Sequence, residues 1–190
     1  MGFHLSLFLV KTEDAQGFLR AARLRDGGRE DPEHESLFSL ARSGGHSLIW
    51  MNWHDDMPSE REFARFSKAV PFINLDLDES AMISACHLWQ DGAQVWALLH
   101  DGSQASGSDL GGLHIAGDLP PEAPPIIETC LHRQGAANAP ALHDAPILLF
   151  QALGGIRPDA ASGLTFQALL RDPPATTAAA AGKPWWRFWS

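Results

Sequence analysis

Cysteine is scarce in this chain: only Cys86 and Cys130 occur among 190 residues. Each sits in an apolar run, where a free thiol behaves as a small hydrophobe, so a disulfide framework is not expected and a reducing, cytoplasmic compartment is. Long hydrophobic runs are also missing. The apolar stretch 5–10 is far shorter than a bilayer-spanning helix and has neither the basic flank nor the small-residue cleavage site of a signal peptide, which disfavours a membrane span and secretion. Basic charge is short as well, with 14 Lys and Arg against 23 Asp and Glu and a net charge of -9. Neutralising phosphates requires clustered cations, so a nucleic-acid partner is not expected. A basic protein partner is the better electrostatic match.

The short motifs that commit a chain to one chemistry are absent too. No HExxH helix places two ligands one turn apart, and neither an EF-hand loop nor a C-x-x-C pair is present, so the sequence names no metal. No G-x-S-x-G elbow presents a serine on a strained turn. Ser84 and Cys86 fall inside an expected strand, where alternation sends Cys86 and His87 to opposite faces and burial makes a thiol less reactive. The glycines of 107–112 lack the following Lys and Ser or Thr of a phosphate-cradling loop and lead into a short strand. No cofactor is expected.

What is present describes a folding chain. An apolar fraction of 45% is that of a globular protein, and the length suits one domain. The reading is a single α+β domain over 1–171, followed by a Pro/Ala-rich linker and an aromatic C-terminal tail over 172–190. A first strand covers 1–10. Thr12 then caps a helix with Glu13 and Asp14 in its positive first turn, Ala15, Phe18, Leu19 and Ala22 on one face, and a stop at Gly27-Gly28. A solvated loop is expected over 29–35 and a short helix over 36–42. Residues 46–53 read as a strand with Leu48, Trp50 and Asn52 on one face and Ile49, Met51 and Trp53 on the other. Ser59 and Glu62 form a capping-box pair that opens a helix over 60–70, ended by Pro71.

A strand over 72–77 follows, and then a meander over about 81–116 as the centre of an antiparallel sheet packed by helices. Asp91-Gly92 is the two-residue hairpin signal, which would place Leu88 opposite Val95, Cys86 opposite Ala97, and His87 opposite Trp96. A third strand is expected at 113–116, a helix from Pro120-Pro121 to about Gln134, and a last helix capped by Asp144, with Pro146 in its first turn and its end at Gly154-Gly155.

Around the hairpin, Trp89, Asp91, Gly92, Val95, Trp96, His100 and Asp101 form a W-x-D-G-x-x-V-W-x-x-x-H-D string. With Leu113, Gly117 and Pro120, and later Asp144, Pro146, Leu153, Gly154 and Asp159, this resembles a group of small uncharacterised bacterial proteins. The resemblance implies a fold and a bacterial origin; it carries no activity and no functional residue.

Two places can hold a function. One is a strand-end rim, where His54, Asp55, Asp56, Asp76, Asp78, His100 and Asp101 supply imidazoles and carboxylates for a metal or for acid-base work if they converge. Against it, an H-D dipeptide on a strand splits its side chains between faces, and each Asp equally suits a turn or a cap. The other is the tail, where Trp185, Trp186, Arg187, Phe188 and Trp189 need a surface to cover them, on this chain or on a partner. The leading expectation is a non-catalytic protein-interaction module, of the immunity or inhibitor kind, with an acidic surface toward a basic partner. The alternatives are a small hydrolase or metal-dependent enzyme working at the rim, and a structural subunit that self-associates through its tail.

Overall fold

The computed structural model describes residues 3–52, 58–104, 111–137 and 141–172. Numbered in chain order, its strands form one nine-stranded sheet in the order β2 (Leu24–Glu30), β9 (Gln167–Arg171), β3 (Phe38–Ser43), β4 (His46–Asn52), β1 (His4–Lys11), β5 (Phe72–Asp78), β6 (Ile83–Gln90), β7 (Ala93–Asp101) and β8 (Leu113–Ala116). Every adjacent pair is antiparallel. The fold is α+β, the meander β6–β7–β8 makes one end of the sheet, and β1 is its middle strand.

Helices cover both faces, which explains why the inner strands read as nearly continuous apolar runs. On one face α1 (Ala15–Ala22) and α2 (Glu60–Ala69) bury Phe18, Phe63 and Phe66 against Phe8, Phe72 and Trp89 of the sheet. On the other, α3 (Ala123–Ala137) and α4 (Asp144–Ala152) close over Leu7, Leu75, Cys86 and Leu98 with Phe150 and Leu149. Alternation splits β4 as its pattern predicts, Leu48 and Trp50 into one core and Ile49 and Met51 into the other.

Local signals held where they were chemically complete. Ser59 and Glu62 form the reciprocal capping box, and Ala15, Phe18, Leu19 and Ala22 are the buried face of α1. Other expectations fail for identifiable reasons. The first helix stops at Ala22 rather than at the glycine pair, because Arg23 takes the left-handed conformation at φ 58° and turns the chain into β2. Gly27 and Gly28 lie inside that strand, at a register shift between Asp26 and Glu30. A Cβ on Gly27 would sit 2.7 Å from the Ala168 carbonyl oxygen, so glycine permits the close approach of β9. The expected loop over 29–35 is partly strand, and its Asp31 is buried, accepting from the Glu35 and Ser36 amides. The expected helix over 36–42 is instead β3, flanked by β4 and β9. Two caps also move: no side-chain cap forms at Thr12, whose 3-10 turn is entered from Lys11, and Asp144 is the first residue of α4 after His143.

The hairpin turn has φ 52° at Asp91 and 83° at Gly92, the doubly positive geometry of a type I′ loop. Its register nonetheless departs from simple pairing. Leu88 lies opposite Trp96, Cys86 opposite Leu98 and His87 opposite Ala97, because one extra residue enters between Gln94 and Trp96. That bulge leaves Val95 46% exposed and turns Trp96 into the α3/α4 core while Trp89 stays in the α1/α2 core.

Candidate functional site

The rim residues that are described lie near one end of the sheet, but their side chains divide between its two faces. Asp78, Ile83 and Asp101 are adjacent across β5, β6 and β7. Asp78 accepts from the Ser80 hydroxyl at 2.7 Å and the Ala81 amide at 3.0 Å, and faces His4 at 3.5 Å. Asp101 accepts from the Ser103 amide and hydroxyl and from Gln104. Both carboxylates therefore organise turns. His54, Asp55 and Asp56 lie outside the described residues, as do Trp185, Trp186, Arg187, Phe188 and Trp189.

Asp76 sits deeper, 1% exposed on the α1/α2 face. Its carboxylate takes the Ser6 hydroxyl on one oxygen and the Asn74 amide at 2.7 Å on the other. His87 Nε2 stands 3.5 Å from that second oxygen, and Nδ1 of the same ring meets the Gln94 side chain at 3.2 Å. Ser6, Asn74, Asp76 and His87 are all essentially inaccessible. The residue types are those of acid-base chemistry, yet the arrangement has no mouth for a substrate. Its order is also wrong for nucleophile activation, since the carboxylate stands between the serine and the imidazole.

His100 belongs to the opposite face. Its Nδ1 lies 3.2 Å from the Met82 carbonyl oxygen, so that nitrogen donates, and its ring meets His143 edge to face with centroids 5.8 Å apart. Ser84, opposite His100 in the ladder, donates to the His143 carbonyl at 2.7 Å. Burial pushes both imidazoles below the ordinary histidine range. The neighbouring His143 adds to this at His100, while the Met82 carbonyl and Asp101 oppose it; at His143 the opposing groups are Asp144 and Glu79. A cleft of about 400 Å³ opens beside His100, lined by Ser80, Met82, Ser103 and Gln134 among others. A second cavity beneath α1, lined by Phe8, Phe18 and Phe66, has room for about 10 Å³, a single water at most.

Among the described residues, no three His, Cys, Asp or Glu side chains come together as a metal site. Cys86 is fully buried, and desolvation, with Asp76 nearby, raises its thiol well above the usual range. It has none of the thiolate character that nucleophilic chemistry needs. No helix of the described residues is long and apolar enough to cross a membrane.

A stronger asymmetry lies in charge. Residues 69–132 contain nine Asp and Glu and not one Lys or Arg, while the rest of the chain holds fourteen of each sign. The whole net charge of -9 therefore maps to β5–β8 and the first part of α3. Every Arg–carboxylate pair among the described residues joins groups outside this stretch, as in Arg25–Asp172, Arg171–Glu62 and Arg157–Asp159. Composition alone conceals this; a running count of charge along the sequence would have found it.

No family model matches the chain, and no curated protein or solved structure is significantly similar to it.

Proposed function

We propose that the protein is a non-catalytic interaction module whose acidic half engages a basic protein partner, acting in the bacterial cytoplasm in the manner of an immunity or inhibitor protein. The observation that carries this reading is the segregation of charge: nine acidic residues with no Lys or Arg over 69–132, against a balanced remainder. An excess of exposed acidic groups raises the encounter rate with a basic partner and repels acidic competitors. Asp91, Asp118, Glu122 and Glu128 of this stretch are exposed, as a docking surface requires.

The test is capture of a partner by the full tagged chain, followed by reconstitution from purified components. The reading expects a stoichiometric complex with a basic protein. Its association should slow about tenfold or more when ionic strength rises from about 0.05 M to about 0.5 M. Reversal of Asp118, Glu122 and Glu128 to lysine should slow it comparably at low salt. A complex indifferent to both salt and charge reversal, or no complex from purified components, overturns it.

A further inference from the structure

We infer that the β8 edge of the sheet is the docking strand of this acidic surface, and that it takes an extended, lysine- or arginine-bearing segment of the partner as a tenth strand. The inference rests on the interaction reading above and names its site.

The two ends of the sheet are built differently. The β2 edge carries Arg25, Asp26, Arg29 and Glu30 and is broken by the irregular register at Gly27-Gly28. Charges and bulges of that kind keep a foreign strand from pairing. The β8 edge, Leu113–Ala116, reads Leu-His-Ile-Ala and carries no Lys, Arg, Asp or Glu. No strand of the described residues lies beyond it. Ile115 is 45% exposed there, and Val95, lifted out by the bulge in neighbouring β7, is 46% exposed. Val95 and β8 are held close, because Gly117 packs so tightly on the Val95 carbonyl that a Cβ would overlap it. A strand added at β8 would thus meet the outward-turned main-chain groups of Leu113 and Ile115 and the Ile115 side chain.

Charge selects the occupant. A four-residue edge offers few main-chain hydrogen bonds, so further affinity must come from side chains. Asp118 follows β8 by two residues, Glu122 lies in the turn before α3, and Glu128 is exposed on α3. A second copy of this chain would bring the same acidic half against itself. A cationic strand is attracted where a second copy is repelled.

The experiment uses the full chain and three nine-residue probe peptides: alternating lysine and valine, the same peptide with a central proline, and its glutamate counterpart. Affinity is read by fluorescence anisotropy and the contact by amide hydrogen exchange. The lysine peptide is expected to bind and to slow exchange in 113–116, with the proline and glutamate peptides at least tenfold weaker. Ile115→Lys should weaken the lysine peptide about tenfold, whereas Glu30→Gln on the far edge, which changes the charge by the same amount, should not. Equal binding of the proline peptide, protection away from β8, self-association through β8, or no binding of the lysine peptide overturns the inference. If the captured partner responds to salt and to Asp118→Lys but not to Ile115→Lys, the interaction reading stands and the edge is not its site.

Discussion

His87 Nε2 lies 3.5 Å from the Asp76 carboxylate, with both side chains 1% exposed. The same carboxylate accepts from Ser6 and Asn74, so one buried acceptor orders three polar side chains inside an otherwise apolar core. Removing a buried acceptor strands its donors without water to replace it. Asp76→Ala should therefore cost roughly 3 kcal/mol, and Ser6→Ala, which removes one donor, about 1 kcal/mol. Urea unfolding of both variants checks this; a loss below about 1 kcal/mol for Asp76→Ala would show that the cluster is dispensable for stability.

The pair His100 and His143 makes stability fall with acid. Burial holds both below the ordinary value of 6.5, so between that value and the lowered one the unfolded chain binds protons that the folded chain refuses. Stability contributed by the neutral rings is complete above pH 6.5 and is lost as pH drops through the folded values. His34, lowered by desolvation as well, acts in the same direction. Thermal melts from about pH 7 to about pH 5 should show a falling midpoint, with a shallower fall in His143→Gln. An unchanged slope in that variant would remove His143 from the account.

Two glycines should respond in opposite directions. Gly117 has φ +69° and no room for a Cβ beside the Val95 carbonyl, so Gly117→Ala is expected to destabilise by about 2 kcal/mol or more. Gly135, within α3, has nothing within 4 Å of a built Cβ, and Gly135→Ala should stabilise by about 0.5–1 kcal/mol through helix propensity. Denaturant midpoints moving the same way in both variants would contradict this geometry.

The capping box of α2 is a third local device. Ser59 accepts the Glu62 amide at 3.3 Å while the Glu62 carboxylate accepts the Ser59 amide at 3.1 Å. Ser59→Ala should cost about 1 kcal/mol. Because Glu62 also pairs with Arg171 of β9 at 2.8 Å, Glu62→Ala should cost more than Ser59→Ala, and a smaller cost would mean that the ion pair contributes nothing.

Part of the rim could be placed from sequence, since strand ends follow from alternation and turn residues. His100 and Asp78 at strand ends are of that kind. Their environments were not legible. His143 reaches His100 only because a 3-10 turn before α4 docks on β7. Asp76 meets Ser6 because β1 and β5 are neighbours in the sheet.

The sequence by itself determined what lies within a few residues: the α1 face, the Ser59–Glu62 box, the Asp91-Gly92 turn and the segregation of charge over 69–132. Each depends on neighbouring residues or on simple order along the chain. The tertiary structure alone decided that 36–42 contributes a strand, since β3 is set by its ladders to β4 and to β9, which is brought from the far end of the domain. It alone shifted the hairpin by one residue at Val95 and left β8 at the sheet's edge. Pairing and burial are won between distant segments, and local propensity is too weak to announce them.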